Sequence, residues 1–343
     1  MKRLRVLVLM HKHLVPPDSV KGLTEKEIHP FKMELDVLAA LGELGHEVIP
    51  VPVKEELMPI RSAIEEHKPH IAFNLLVSFL DIGIYDAHVM SYLELLRTAY
   101  TGSNPRGIML ASNKPLSKKV LSYHRIRVPG FSVYKLRRAR ITKPKRLRFP
   151  LIVKSTVEHS SVGIAQASIV SDDASLKERV RFIHRYVGTS AIAEEYIEGR
   201  ELTIGVIGNE RLETFPVWEM FFTRLPPGTE NIATSKMKWD IKYQQKLGVE
   251  TGPAVDLSAD KAKEIAKMAK RIYRVLNLSG YARIDLRMTE AGEVFVIEAN
   301  PNPDLCAHED LSRSAEMHGL NYTGLVQKIL TLGQSYRPAW KER

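Results

Sequence analysis

The stretch "FVIEANPNPDL", residues 295–305, alternates apolar and polar side chains and then runs into two prolines. Successive side chains point to opposite faces of a β-strand, so Glu298 and Asn300 project from the same face. A carboxylate and an amide oxygen side by side are typical ligands of a hard cation such as Mg²⁺. These two residues make only half of a metal site, so the other half has to come from a neighbouring strand.

The neighbouring strand is predicted at "YARIDLRM", residues 281–288, which "TEAG" connects to the first stretch. With an even-length turn, Arg283 lies opposite Glu298 and Asp285 lies diagonal to it, so the polar side chains share one face of a hairpin. An odd-length turn would break that register. The opposite face is predicted to pack into the core through Ile284, Leu286, Phe295 and Ile297.

This hairpin has two readings. Asp285, Glu298 and Asn300 supply three oxygen donors, which suit Mg²⁺ with water and phosphate oxygens as its other ligands. Arg283 beside them suits the negative charge that develops on a transferring phosphoryl group or a tetrahedral oxyanion. The alternative is a surface strand pair with ordinary ion pairs, and the hairpin alone does not separate the two.

The bulk composition limits the class of protein. A chain of 343 residues is expected to form two or three domains. No apolar stretch approaches the roughly 20 residues of a membrane span, and the apolar run after the basic N-terminus is predicted to be a buried strand rather than a signal peptide. Cys306 is the single cysteine, so no intramolecular disulfide can form, and we expect a cytoplasmic protein.

The net charge of +10 raises the question of a nucleic-acid partner. Many of the basic residues lie in "KLRRARITKPKRLRFP", residues 135–150, which has no aromatic residue before Phe149 and no known nucleic-acid motif. We therefore predict an exposed connecting segment and no nucleic-acid or membrane partner.

The order of the predicted elements divides the chain into three units. Strands at 4–10, 46–53 and 70–76 alternate with helices at 31–44 and 59–67, which indicates a small doubly wound α/β domain. The first strand is not followed by G-x-G-x-x-G, so a dinucleotide-binding domain is not predicted. Two α+β units follow, and the predicted domains are 1–105, 106–188 and 189–335.

A second group of candidate residues lies in "FPLIVKSTVEHSSVG", residues 149–163. Lys154 ends an apolar strand, and a small polar loop with Ser160, Ser161 and Gly163 follows. Backbone N–H groups of such a loop can bind phosphate, and a lysine adds a point charge. The segment is not a P-loop, and a lysine at a strand end is by itself more often a solvated charge.

Taken together, five segments in the same order resemble the ATP-grasp superfamily, and within it the D-alanine–D-alanine ligase family. The matching segments are residues 72–76 with 92–121, then 149–163, 191–208, 281–288 and 295–303. The resemblance implies a three-domain ATP-grasp architecture with ATP between the central and C-terminal domains. It also implies ATP and two Mg²⁺ ions as cofactors, with Mn²⁺ as a possible substitute, small-molecule carboxylate and amine substrates, and a homodimer.

The resemblance also implies a role for each matching residue. Arg283 would stabilise an acyl phosphate and a tetrahedral intermediate, and Asp285, Glu298 and Asn300 would bind the two metal ions. The residues implied for ATP are Lys114 and Lys154 with the serine loop of Ser160 and Ser161 at the phosphates, Glu194 at the adenine amino group, the backbone of Glu195, Tyr196 and Ile197 at the adenine edge, and Glu201 at the ribose.

A mobile loop that closes over the γ-phosphate is implied in "ATSKMKWDIKY", residues 233–243. Lys238, followed by Trp239, resembles the lysine and aromatic residue of that loop. Lys236 is a competing candidate. The polar composition of the loop suits a lid that excludes water.

The sequence departs from the family where the substrates would bind. Asp304 stands where the family has a glycine whose N–H binds an oxyanion, and Glu309 lies near the serine that binds the acceptor carboxylate. An acidic side chain repels a carboxylate and attracts an amine or a guanidine. Val77 and Ser78 replace the family's His-Gly pair, and the acid expected near the first helix could be Glu25 or Glu27.

We therefore expect an ATP-dependent carboxylate–amine ligase whose substrates are not two D-alanines. The alternatives are a genuine D-alanine–D-alanine ligase and a nucleotide-binding protein without catalytic activity, against which the intact metal and phosphate residues argue. Cys306 lies beside the presumed acceptor site, but activation by ATP needs no protein nucleophile, so a packing role is favoured.

Overall fold

The computed structural model describes residues 2–137, 140–158, 162–234, 236–237 and 240–341, without the side chain of Ile241. Its strands are β1 Arg5–His11, β2 Glu47–Val53, β3 Ile71–Asn74, β4 Phe131–Tyr134, β5 Leu151–Ser155, β6 Ile169–Val170, β7 Ala191–Glu195, β8 Arg200–Ile207, β9 Glu213–Thr214, β10 Trp218–Phe222, β11 Val249–Pro253, β12 Tyr281–Met288 and β13 Val294–Asn300.

The α-helices lie between these strands and after them. They are α1 Glu25–Ile28, α2 Lys32–Glu43, α3 Met58–His67, α4 Asp86–Leu95, α5 Pro105–Ser112, α6 Lys114–Tyr123, α7 Asp173–Phe182, α8 Ile241–Leu247, α9 Ala259–Val275, α10 Asp310–Met317 and α11 Tyr322–Ser335. No helix within the described ranges is both long enough and apolar enough to cross a membrane.

The first sheet is parallel, with the strand order β2-β1-β3. β1 is buried on both faces, because Val6 and Val8 belong to one hydrophobic core while Leu7 and Leu9 belong to another. Helix α2 packs on the first of these faces and α3 on the second. The predicted doubly wound α/β unit is thus present.

The second sheet is antiparallel, with the strand order β4-β7-β5-β6, and α7 covers one of its faces. β7 pairs with β4 and β5, although the predicted boundary at residue 188 placed it in the third unit. The second sheet therefore extends through Glu195. The boundary was placed too early because β7 is separated from its partner β5 by a whole helix, and non-local pairing leaves no mark in the local sequence.

The third sheet has the order β11-β10-β8-β12-β13, and β9 pairs with the edge of β8. Helix α9 packs beneath it through Ile265, Ala269 and Ile272. Ala111 of α5 and Leu121 of α6 also belong to this core, so the segment after residue 105 is attached to the third sheet rather than to the second. The observed architecture, an α/β unit followed by α+β units, agrees with the predicted fold class.

The two strands of the β12–β13 hairpin pair in a different register from the one predicted. Five residues, an odd number, connect Met288 to Val294, and a β-bulge at Ile297 adds one more unpaired residue. Beyond the bulge Arg283 lies opposite Asn300 and Asp285 opposite Glu298, rather than Arg283 opposite Glu298.

The two irregularities compensate each other, so the predicted polar residues still share a face. The side toward the core differs from the prediction: it contains Val294, Val296 and Ala299, whereas Phe295 and Ile297 are only half-buried. The prediction assumed an unbroken alternation along β13, which the bulge interrupts.

The C-terminal helices return to the first sheet. Helix α11 packs against α2, and both share a core with β1 and β3. The connecting segment 301–309 therefore runs from the end of β13 toward α2, where the Ala307 N–H donates to Asp36 Oδ2 at 2.9 Å.

Candidate active site

A cleft lies between the second and third sheets, with β5 and β7 on one side and β12 and β13 on the other. Most of the residues predicted to bind nucleotide and metal line it: Lys114, Lys154, Glu194, Glu195, Tyr196, Ile197, Glu201, Asp285 and Glu298. The structure thus brings together residues that are up to 184 positions apart in the sequence.

Lys114 is the first residue of α6, where the Asn113 side chain caps the helix by accepting the Leu116 N–H. The Lys114 N–H donates to Thr156 O at 3.0 Å, which ties the helix start to the end of β5. Its ammonium is buried, donates to Glu158 O at 2.6 Å and lies 3.3 Å from Glu298 Oε2. A fixed positive charge therefore stands beside a predicted metal ligand.

Lys154 and Glu194 face each other across the β5–β7 pair. Lys154 Nζ lies 3.0 Å from Glu194 Oε2, and both side chains are buried. Burial acts to lower the pKa of Lys154, but the attraction of Glu194 and Glu298 outweighs it, so the pKa is raised. Lys154 therefore keeps its charge, as a lysine that contacts phosphate requires.

Lys118 is a third buried lysine, which the sequence analysis missed. Its ammonium donates to Ile297 O at 2.8 Å and lies 3.3 Å from Glu194 Oε1. This contact with Glu194 is an ion pair without hydrogen-bond geometry, since no described group donates to Glu194 Oε1. Burial lowers the pKa of Lys118 to about 8. The sequence did contain an indication of this role: Lys118 follows Lys114 by one helical turn, so both lysines lie on one face of α6.

Arg283 and Asp285 form a bidentate ion pair on β12. Arg283 donates from Nε to Asp285 Oδ1 at 2.7 Å and from Nη2 to Oδ2 at 2.9 Å. The two residues are neighbours on one face of the strand, as the alternation predicted. The pair holds the Asp285 carboxylate in a fixed orientation opposite Glu298.

The donor set on this hairpin fits Mg²⁺. Asp285 and Glu298 are paired across the strands, and Asn300 follows on the same face. No group of three histidine, cysteine or acidic side chains in the described ranges could hold a metal ion. The predicted third ligand is the Asn300 amide. Few protein oxygens combined with water and phosphate oxygens are the usual coordination of Mg²⁺.

Arg287 organises the other end of the cleft, a role that the sequence analysis did not assign. It donates to Glu201 Oε2 at 2.9 Å, to Ile197 O at 3.2 Å and to the backbone oxygen of Asn231. Its guanidinium also lies 5.1 Å from the centre of the Tyr196 ring. Glu201, predicted to bind the ribose, is thus held by a buried arginine, and Arg287 continues the alternation of Arg283 and Asp285.

Some of the backbone groups predicted to bind the adenine edge already make hydrogen bonds within the protein. The Glu195 N–H donates to Gly130 O at 2.8 Å, and the Tyr196 N–H donates to Pro150 O at 3.0 Å. An adenine edge would have to use other backbone groups of residues 195–197. Glu194, predicted at the adenine amino group, lies between two lysines instead.

Part of the prediction lies outside the described residues, namely Ser160, Ser161, Lys238 and Trp239. The competing loop lysine, Lys236, is exposed and its ammonium lies 4.5 Å from the centre of the Tyr243 ring. Ile232 and Ala233, just before it, line the cleft. The loop that contains both lysines is therefore in contact with the predicted nucleotide site.

The residues predicted at the substrates lie beyond β13. Asp304 is exposed and accepts the Cys306 N–H at 2.8 Å, and Glu309 is the exposed N-cap of α10. Burial, followed by the charge of Asp304, raises the pKa of the Cys306 thiol, which disfavours a nucleophilic thiolate.

Both candidates for the acid expected near the first helix lie on that helix. Glu25 and Glu27 are exposed on the short helix α1, where Glu27 accepts the Thr24 N–H at 2.8 Å in a capping box. Glu34 on α2 is the buried acid, only 1% exposed. Glu34 was not predicted as a site residue because it lies within an otherwise apolar helix pattern.

Comparison with known proteins identifies relatives over most of the chain. The family described as D-ala D-ala ligase C-terminus matches residues 124–331. A D-alanine–D-alanine ligase of Bordetella petrii is 32% identical over 72% of this chain and 71% of its own length.

Solved structures show the same fold. The D-alanine–D-alanine ligase of Bacillus anthracis complexed with ATP superposes with a TM-score of 0.71 at 22% identity, covering 96% of this chain and 97% of that one. The VanG D-Ala:D-Ser ligase of Enterococcus faecalis gives a TM-score of 0.69 at 18% identity, covering 97% of this chain and 100% of that one.

Proposed function

Because the chain belongs to the D-alanine–D-alanine ligase family, we propose that it joins a carboxylate to an amine in an ATP-dependent reaction that passes through an acyl phosphate. It is an ATP-grasp ligase that forms carbon–nitrogen bonds, and the enzymes of its family use ATP. The observation that carries the proposed mechanism is the meeting of two buried lysines, Lys114 and Lys154, with Asp285 and Glu298 in one cleft.

The charges of the cleft suit a polyphosphate and its metal ions. Lys114, Lys118 and Lys154 are at most 5% exposed, and they lie against Glu194 and Glu298. A phosphate chain with Mg²⁺ can take over these contacts, the phosphates at the lysines and the metal at the carboxylates. Such an exchange keeps Lys114 and Glu298 each paired with an opposite charge.

Asp285, Glu298 and Asn300 would hold two Mg²⁺ ions, with Mn²⁺ as a possible substitute. Bound there, the metal ions neutralise phosphate charge. Arg283, fixed by Asp285, would stabilise the charge on the acyl phosphate and on the tetrahedral intermediate formed by the attacking amine. The loop with Lys238 would exclude water that could hydrolyse the acyl phosphate.

We further propose that the substrates are not two D-alanines. Asp304 and Glu309 place carboxylates near the expected acceptor, where they repel a free α-carboxylate. The D-Ala:D-Ser neighbour supports this reading only in general, since its name shows that the fold accommodates a different acceptor. A cytoplasmic location and a homodimer are part of the same proposal and rest on the family resemblance.

The second candidate is a D-alanine–D-alanine ligase, and the names of the relatives favour it. Every residue except proline has a backbone N–H, so Asp304 has an N–H that could donate to an oxyanion in either candidate reaction. Only the substrate-binding side chains differ between the two proposals.

The experiment is phosphate release from Mg-ATP with D-alanine and with a panel of other amino acids and amines, with the products identified by mass spectrometry. An amide from a pair other than two D-alanines supports the first proposal. D-alanyl-D-alanine as the main product supports the second. The Asp285→Asn variant is the control, since loss of the metal ligand should remove phosphate release with every pair.

A further inference from the structure

An acidic cluster lies between α2 and the segment after β13, outside the nucleotide cleft. We define it as Glu34 and Asp36 of α2 together with Asp304. Glu34 is 1% exposed, and its Oε1 has no hydrogen-bond partner in the part of the chain that the structure describes. A buried polar oxygen without a partner is costly, so it indicates a missing contact.

The charges of the cluster are unequally compensated. Asp36 is paired with Lys32 Nζ at 3.1 Å and also accepts the Ala307 N–H. Asp304 accepts the N–H of Cys306 and also interacts with the thiol of Cys306, and no described ion pair includes it. Burial, and then the charge of Asp304, raises the pKa of Glu34 to about 7. Glu34 and Asp304 are therefore close enough to repel each other, and no described cation is paired with Glu34.

The Tyr322 hydroxyl lies near two members of the cluster, Asp36 and Asp304. It is buried and has no partner among the described groups, and the pKa of Tyr322 is raised first by burial and then by Asp36. A hydroxyl and a carboxylate that both lack a partner can be satisfied together by one group with several N–H donors. Ammonium and guanidinium groups have this property.

The net charge of a ligand decides which amines can use such a cluster. A simple amino acid such as alanine is a zwitterion without net charge, so an excess of carboxylates attracts one end of it and repels the other. A substrate with an additional cationic group has net positive charge and gains from the excess. Asp304 follows Asn300 by four residues, so it lies within about 14 Å of that metal ligand along the chain.

Resting on the ligase function proposed above, we propose that Glu34 and Asp304 bind an ammonium or guanidinium group that one substrate carries in addition to its reacting groups. The substrate class is thus a basic amino acid or a diamine, held by its distal cation with its reacting end toward Arg283 and the metal face. The cluster acts on specificity and not on the chemical step.

The test measures binding separately from turnover. Calorimetry of the protein with Mg²⁺ and a non-hydrolysable ATP analogue compares both enantiomers of lysine, ornithine and arginine with norleucine, which has the carbon chain of lysine without the ε-ammonium, and also cadaverine with pentylamine. We expect at least one cationic ligand to bind about tenfold more tightly than its neutral partner, about 1.4 kcal/mol.

The variants assign that preference to the cluster. Glu34→Gln and Asp304→Asn should each reduce the preference toward unity, and Glu290→Gln, at an exposed turn, should leave it unchanged. Asp304 is exposed, so Asp304→Asn keeps the test valid should Glu34→Gln fail to fold. Equal binding of cationic and neutral ligands, or a preference that survives in Asp304→Asn, would overturn the inference.

Amide formation with the same panel separates this inference from the proposed function. A ligase that uses norleucine as well as lysine contradicts the inference and leaves the ligase function standing. A charge preference in binding without any amide product supports the cation site and contradicts the proposed reaction.

Discussion

At the scale of single residues, the site is a set of buried charges that neutralise one another. Glu194 is shared by Lys118 and Lys154, and each of these three side chains is at most 6% exposed. Removing one partner of a buried pair leaves an uncompensated charge, which costs more than the pair contributes. The lysines are therefore expected to depend on Glu194 for stability as well as for position.

The Lys118–Glu194 contact should appear in a double-mutant cycle. Lys118→Met and Glu194→Gln should each lower the free energy of unfolding by about 2–4 kcal/mol, because each leaves a buried charge short of a partner. The double variant should lose less than the sum by about 1–3 kcal/mol, measured by chemical denaturation. Strict additivity would show that the 3.3 Å contact carries no coupling.

Glu34 should make stability depend on pH. Its pKa is about 7 in the folded protein against an ordinary value of 4.5, so the folded state holds the proton over a wider range. Stability associated with Glu34 is complete below about pH 4.5 and is lost as the pH rises through about 7, by about 3 kcal/mol at most.

The measurement compares the wild type with Glu34→Gln. The variant cannot ionise, so its free energy of unfolding should exceed that of the wild type near pH 8, with the difference shrinking toward about pH 5. Glu290→Gln serves as the matched control at an exposed position. A pH-independent difference between wild type and Glu34→Gln would contradict the assignment.

At the scale of secondary-structure elements, the β12–β13 hairpin decides the chemistry. The alternation of Arg283, Asp285 and Arg287 was readable from the sequence, and so was the Glu298 and Asn300 pair. The bulge at Ile297 was not, because it depends on the number of residues in the turn and on packing against α6. Ile297 and Glu298 are consecutive, yet both line the cleft.

Single-residue deletions in β13 should distinguish the role of the bulge from that of the polar face with Glu298 and Asn300. Deleting Ile297 regularises the strand and keeps Glu298 and Asn300 on the metal face, so metal-dependent phosphate release should persist with a KM for ATP raised about tenfold. Deleting Ala299 turns Asn300 toward the core and should lower kcat/KM by at least about 100-fold. Steady-state kinetics over a range of Mg²⁺ concentrations checks both, and equal effects of the two deletions would refute the register.

At the scale of the whole molecule, the site depends on how the three sheets are assembled. The sequence predicted the three units and the nucleotide cleft through the resemblance, and the comparisons confirm the family and the fold class. It did not place β7 in the second sheet, Arg287 at Glu201 or Glu34 beside Asp304. These contacts join segments far apart in the chain, and local patterns carry no record of them.

Nucleotide binding should stabilise the assembly of the second and third sheets. A Mg²⁺ complex of a non-hydrolysable ATP analogue at about 100 times its Kd should add about 2.7 kcal/mol, seen as a higher Tm by calorimetry. Lys154→Met should lose most of this shift, because it removes one of the buried cations at the phosphates. An undiminished shift in that variant would place the phosphates elsewhere.

The central claim is that the carboxylate substrate is phosphorylated before the amine attacks. The most direct measurement uses the substrate pair with the highest amide yield, with ¹⁸O in both oxygens of the carboxylate, and determines the isotope content of the released phosphate by mass spectrometry. We expect one ¹⁸O in the phosphate for each amide formed. Unlabelled phosphate accompanying labelled amide, or no amide from any pair, would contradict it.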